Sequence, residues 1–413
     1  MMKVPRCKGM RDLLPDDMAK FRHIEGVFRG CCLNRGYGEV RTPTLEYLHL
    51  FTATGTLTPG MLGRVYSFLD WDGWSGERVV LRPEGTIPAA RLYLENLERG
   101  DITRLFYVEN TFTFEETDGE DRERWQCGAE LIGSSLPLAD VELILLAAEV
   151  VEKVGLGAVE VKLSHAGLIK ALLGELGLEP AEQAEIWDQI LEGNVKALGE
   201  IKARNAELQQ KLPLLLEVKG GSPGFVENIK VLLGKALPKL EPSLDNLTAI
   251  AELLSAMECH YEIDIASGRG FEYYTGVMLQ FYASGQTVGR GGRYDDLIPL
   301  VGGMPVPASG FALYMDKLMA LLQIGQEGPE QRILVSSQGQ DVKGLKACLE
   351  AARFLREAGY RTELELGPKA ATGYRWIISL LKEGRFQLTD QTTGKKSECA
   401  SPAEMLKVIG GAG

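Results

Sequence analysis

At 413 residues, 45% of them hydrophobic and 25% charged, the chain is too long for a single core and ordinary in make-up for a folded protein of two or three domains. A formal net charge of −12 argues against bulk, sequence-independent binding of nucleic acid, and the 13 Lys and Arg against nine Asp and Glu from Gln331 onward are too small a surplus to make a nucleic-acid surface. Seven cysteines without a Cys-x-x-Cys pair and four scattered histidines argue against a zinc site or a disulfide framework, and no stretch reads as a secretion signal or a membrane span, so a cytoplasmic protein without metal is expected.

In chain order, Met18, Phe21, Ile24, Phe28 and Cys31 recur at helical spacing behind Asp16 and Asp17, which predicts a capped helix to about Arg35, ended by Gly36 and Gly38. Residues 39–43 read as a short strand and 45–50 as a helical patch. Residues 65–69 and 78–81 read as paired strands across a turn at 71–74, and a helix follows Arg82-Pro-Glu-Gly-Thr86. Residues 104–133 predict a long antiparallel hairpin. Phe106, Val108, Phe112 and Phe114 fall on one face, and Tyr107, Glu109, Thr111, Thr113 and Glu115 on the other; beyond a charged loop at 116–124, Gln126, Gly128 and Glu130 share a face. Taken alone, the polar face of such a hairpin reads as solvated surface.

Residues 138–154 predict an amphipathic helix and 159–163 a strand, after which 166 to about 257 is helical in pattern, as an insertion would be. A second polar hairpin opens at 263–266 and runs through Gly270-Phe-Glu-Tyr-Tyr-Thr-Gly276 into 277–282; a glycine-rich strand over 288–295 and a helix over 314–322 follow. Beyond a linker of Gly, Gln and Glu at 323–331, the tail alternates strand (333–336), helix (342–358), strand (361–366), helix, strand, which is a small α/β unit.

Gly289-Arg-Gly-Gly-Arg293 lacks the Lys-Ser/Thr of a phosphate loop and sits in a strand. Gly291 and Gly292 are therefore expected to form the flat floor of a pocket, with a plain bulge as the alternative. Glu84, Gln126 and Glu130 supply acceptors suited to an ammonium group, though each taken singly is more often a surface or structural residue; Arg269 with Tyr273 and Tyr274 supplies a cation and two phenols, which are also ordinary on a sheet. No spacing fits a catalytic triad, a metal set or a dinucleotide fingerprint, so no catalytic residue and no cofactor is expected. The residues by themselves point as far as a sheet-floored pocket for a small ligand bearing an amino group.

The ordered run GMRDLLP, GYGEVRTP, LRPEGT, the hairpin, RGFEYYTG, GGRYD and PASGFAL resembles class II histidyl-tRNA synthetase from about residue 8 to 322, with a weaker echo in the tail. The resemblance implies an α+β fold, a class II aminoacyl-tRNA synthetase-like antiparallel sheet flanked by helices. Residues 1–325 would form the core domain with a helical insertion at about 166–257, and 331–413 a reduced anticodon-binding-like α/β domain. It also implies a dimer with Pro43 in the dimer-forming motif, and a histidine pocket made of Glu84, Thr86, Gln126, Glu130, Arg269, Tyr273 and Tyr274. The positions that should handle ATP depart from the pattern: Thr113 and Lys317 stand where arginines are expected, Tyr314 where a glycine is, and the hairpin loop is acidic instead of basic. Loss of one preorganised donor to a developing oxyanion costs about 10²–10³ in rate, and Lys does not reproduce the arginine fork. An acidic loop would also repel a tRNA acceptor end. A pocket for histidine without means to activate it resembles the synthetase paralogues that serve as regulatory subunits of ATP phosphoribosyltransferase. That resemblance implies a short catalytic partner subunit, feedback by L-histidine and no catalysis by this chain; the alternative is a divergent active synthetase.

Overall fold

The structure is a computed structural model and describes residues 5–54, 62–71, 76–97, 101–113, 122–191, 204–233, 238–267, 273–323, 332–336, 341–367, 372–381 and 384–410. Arg269, Phe114, Glu115, most of the hairpin loop, the centre of the turn at 71–74 and most of the linker at 323–331 lie outside the described residues. The chain divides into two compact units between Leu322 and Gln323.

The first unit is organised on an eight-stranded sheet. Its strands are β1 (Gly38–Glu39), β5 (Thr103–Phe112), β6 (Glu123–Ile132), β7 (Glu160–His165), β8 (Tyr261–Ile263), β9 (Val277–Ala283), β10 (Gln286–Arg293) and β11 (Ala308–Tyr314). Their order is β1-β5-β6-β11-β10-β9-β7-β8, with parallel pairs at the two edges and antiparallel pairs between. One sheet face is apolar and carries Phe106, Ala129, Phe281 and Phe311, all buried. The helix Pro15–Asn34 lies on it and sets Phe28 edge-on to Phe106 at 5.8 Å between centroids. That helix starts earlier than the expected cap at Asp16 or Asp17: Leu14 is the capping position, Pro15 opens the first turn, Asp17 inside that turn accepts from the Leu14 amide at 3.0 Å, and Gly36 at φ +75° follows its end.

Among the described residues of the stretch read as helical stand the helices Ala166–Glu175, Pro180–Leu191, Ala206–Glu217, Pro223–Leu233 and Glu241–Ala256, and they bury Leu172, Leu212, Ile229 and Ile250 in a core continuous with that of the sheet. A smaller sheet has the order β2-β4-β3, with β2 (Leu45–Tyr47), β3 (Ser67–Trp71) and β4 (Gly76–Leu81). Residues 45–47 are thus strand, where a helical patch was expected. Pairing of Leu45 with Leu81 and of Tyr47 with Val79 outweighs the local pattern, and helix begins only at Leu48.

The second unit has a five-stranded mixed sheet of order β13-β12-β14-β15-β16: β12 (Arg332–Ser336), β13 (Arg361–Leu364), β14 (Trp376–Leu380), β15 (Phe386–Asp390) and β16 (Lys396–Cys399). Helices Val342–Glu357 and Pro402–Gly410 share its core through Leu355, Met405 and Ile409. The expected helix-then-strand after residue 366 is corrected to three strands and a helix, because Ile377 pairs with both Leu334 and Thr389. No helix among the described residues is long and apolar enough to cross a membrane.

Candidate functional site

The second face of the large sheet carries the candidate site. Register places Tyr107 and Glu109 of β5, Gln126, Gly128 and Glu130 of β6, and Gly310, Ala312 and Tyr314 of β11 on this one side. The expectation of a solvated surface is corrected: Tyr107, Glu109, Gln126 and Glu130 are 0, 2, 9 and 1% exposed. The cover comes from segments distant in sequence, namely the start of the helix Thr86–Asn96 and the tyrosines Tyr273, Tyr274 and Tyr294.

Glu130 is the centre of this layer. Its Oε1 accepts from the Tyr107 hydroxyl at 2.9 Å and its Oε2 from the Tyr294 hydroxyl. Side chains would fill the space these groups need: a Cβ at Gly310 would collide with the Glu130 carboxylate, and one at Gly128 or Gly85 with the Tyr107 ring. Burial pushes the Glu130 carboxyl up to about 8 against the pull of its two phenols, with Glu84 adding a smaller push in the same direction. Glu84 turns back on its own helix, where its carboxylate accepts from the Thr86 and Ile87 amides at 2.7 and 2.8 Å; burial nonetheless raises it to about 7. The Thr86 hydroxyl sits among Glu84, Tyr107, Glu130 and Tyr273. Neither glutamate has a cationic partner among the described residues.

Tyr273 and Tyr274 meet edge-to-face at 5.0 Å, and Tyr273 lies 5.8 Å from Tyr294 between ring centroids. Gly292, at φ +155°, lies on the same face, where a Cβ would meet the Tyr274 ring. Gly291 corrects its expectation. It pairs with Phe311 and its Cβ direction meets that side chain on the apolar face, so Gly310 and not Gly291 lies on the face of Glu130. Beside the pocket, Arg82 and Glu109 form a buried ion pair at 2.8 Å. Arg82 also donates to the Thr42 and Asn110 carbonyls, which fastens the small sheet to the hairpin.

The structure thus brings Glu84, Thr86, Gln126, Glu130, Tyr273 and Tyr274 together, while Arg269 lies outside the described residues. Tyr107 and Tyr294 were missed. Tyr107 alternates with Glu109 and Tyr294 sits inside GGRYD, so a search for donors to the pocket carboxylates would have found both.

Toward the hairpin-loop end of the sheet the groups differ. Thr113 is half-buried, and among the described residues it bonds through its amide to the Arg122 carbonyl at 3.1 Å. Tyr314 stands opposite Gln126, near Arg290 and Arg124. Lys317 is exposed on the helix Met315–Leu321, and its neighbour Asp316 is taken up by Arg11 and by the Trp125 amide at 2.8 Å. Among the described residues no cluster of His, Cys, Asp or Glu could hold a metal ion.

Residues 9–318 match the family model described as histidyl-tRNA synthetase. An ATP phosphoribosyltransferase regulatory subunit of Dehalococcoides mccartyi is 47% identical over 410 residues, 99% of each chain. A histidine–tRNA ligase of Methanosarcina acetivorans is 31% identical over 427 residues, again 99% of each. Among solved structures, an ATP phosphoribosyltransferase regulatory subunit/histidyl-tRNA synthetase from Bacillus halodurans superposes with a TM-score of 0.77 at 26% identity, covering 92% of this chain and 98% of that one.

Proposed function

The chain belongs to the histidyl-tRNA synthetase family, in its branch of ATP phosphoribosyltransferase regulatory subunits, and from that premise we propose that it is the non-catalytic regulatory subunit of an ATP phosphoribosyltransferase, paired with a short catalytic chain in histidine biosynthesis. The ligand of its pocket is L-histidine. Glu130, assisted by Gln126 and the remaining lone pairs of Glu84, receives the ammonium; Tyr273 and Tyr274 flank the imidazole; Arg269 takes the carboxylate.

One observation carries the ligand reading. Glu130 is buried with two phenols and no cation among the described residues, so burial disfavours its charged form until a cation is brought beside it. An ammonium ligand supplies what is absent. The same face does not support activation of the bound amino acid: Thr113 has no charge to offer a phosphate, Tyr314 brings bulk to its end of the face, and Lys317 points to solvent. Exposed Leu45, Tyr47, Phe68, Leu69 and Trp71 on the edge strands of the small sheet support self-association as a dimer through that region.

A regulatory ligand works only by binding two states of an assembly unequally. The test is reconstitution with the short transferase, assayed with and without histidine. The reading requires that activity depend on this chain and fall as histidine is added; transferase activity indifferent to both rejects it.

A further inference from the structure

Arg290 stands in the middle of β10, which lies between β11 and β9 inside the large sheet, yet its side chain is exposed. Its neighbours along the strand, Val288, Gly289, Gly291, Gly292 and Arg293, are all buried. Register sets Arg290 opposite Ala312 on one side and Gln280 on the other, in the row that continues through Ala312 to Gly128 and Tyr107. It therefore projects from the face that carries Glu130.

A charged side chain on an interior strand reaches solvent only where nothing packs on that face. In the row beside it, Gly292, Gly310 and Glu130 are buried, and a Cβ on Gly292 would meet the Tyr274 ring at 2.7 Å. On the other side of that row Ala312 and Tyr314 are only half-buried. The cover over the face thus ends between the two rows, and Arg290 stands at the mouth it leaves. Two glycines and the methyl of Ala312 put no bulk on the sheet between the guanidinium and the buried end of the pocket. Burial pushes the Tyr274 and Tyr314 phenols up, and the Arg290 charge pulls on each in the other direction, so it is felt at both.

Among the described residues no hydrogen bond or ion pair engages the Arg290 guanidinium. On a loop that would be ordinary. On an interior strand, at the rim of a pocket for an amino acid, it sets a free planar cation where the acid end of a ligand emerges, and a carboxylate matches that fork.

We infer that Arg290 is a specificity-determining residue, the cation at the pocket mouth that selects a ligand bearing a free carboxylate over an uncharged analogue. The inference rests on the reading of the pocket as an amino-acid site, and it does not depend on which side chain receives the ammonium. Arg290 acts there together with Arg269.

The test compares L-histidine with L-histidinol, in which an alcohol replaces the carboxylate, on the full-length wild type, Arg290→Met and Arg290→Lys. Histidine is titrated by calorimetry, histidinol is read by its displacement of histidine, and urea unfolding checks the fold. Arg290→Met should weaken histidine about tenfold, the loss of one charge-assisted contact, and change histidinol by less than about twofold. Arg290→Lys should fall between, since it keeps the charge without the fork. Added salt should weaken histidine binding more steeply in the wild type than in Arg290→Met, because the mouth is open to screening. The urea midpoint should stay in place, as Arg290 has no partner to lose. Histidine affinity unchanged within about twofold in Arg290→Met overturns the inference, and so do equal losses for both ligands, which would mark a role in shape alone. A wild-type chain that binds no histidine overturns the pocket reading and this inference with it; wild-type binding with a histidine-to-histidinol ratio indifferent to Arg290 overturns the inference alone.

Discussion

Six residues along β6, at about 3.4 Å each, separate Glu130 from Arg124, and the two ends of the pocket face are built differently. At the Glu130 end several polar groups also serve the fold. Glu84 satisfies the first amides of a helix, Tyr107 fills the space over two glycines, and Glu109 neutralises a buried arginine. At the Arg124 end, Thr113 bonds through its backbone and Lys317 is exposed. A substitution at the first end disturbs helix start, packing or a buried charge. A substitution at the second changes ligand chemistry and little else.

The comparison can be broken most sharply at Glu130. Glu130→Gln keeps the shape and removes the charge, and histidine affinity measured by calorimetry should fall about a hundredfold or more, the range for a buried charge stripped of its partner; a change under threefold would deny the amino-acid half its assigned role.

Acid should produce the next largest effect. Glu130 and Glu84 are held at about 8 and about 7 by burial; on the reading that an ammonium ligand binds their charged forms, affinity should drop by up to about tenfold per pH unit from pH 8 to 7 and by up to about a hundredfold per unit below pH 7. The ligand-free protein should behave in the opposite sense. Its folded state holds protons that the unfolded chain has released above the ordinary value of 4.5, so the contribution of these two groups to stability is fully present below that value and is lost as pH rises toward 8. Thermal melts with and without histidine would separate the two trends, and a flat profile would contradict both.

Rebuilding the other end is a gain-of-function test. Thr113→Arg with Tyr314→Gly and Lys317→Arg should raise affinity for ATP by roughly tenfold in a fluorescent-nucleotide assay and leave histidine binding alone, because the new groups lie along the face from Glu130. Smallest of all, Lys317→Ala should change histidine affinity by less than about twofold, as befits an exposed side chain; a larger loss would mean the two halves are coupled.

Much of this was legible before the structure. Alternation alone marked β5 and β6, and a helical period marked residues 166–257, because side chains that share a core impose its repeat. What alternation could not say was that the polar face is buried, since Tyr294 and the segment at Glu84 approach it from 164 and 46 residues away in sequence. Misread elements were short ones, such as 45–47 and the strands beyond 366, where pairing across a sheet decides and local pattern is weak.

The most direct test of a kept amino-acid half beside a dismantled nucleotide half is a calorimetric titration of histidine at pH 8, run with and without saturating ATP and magnesium. The account predicts the same saturable binding isotherm in both. Tighter histidine binding in the presence of ATP, with the heat of a turnover that releases pyrophosphate, would contradict it.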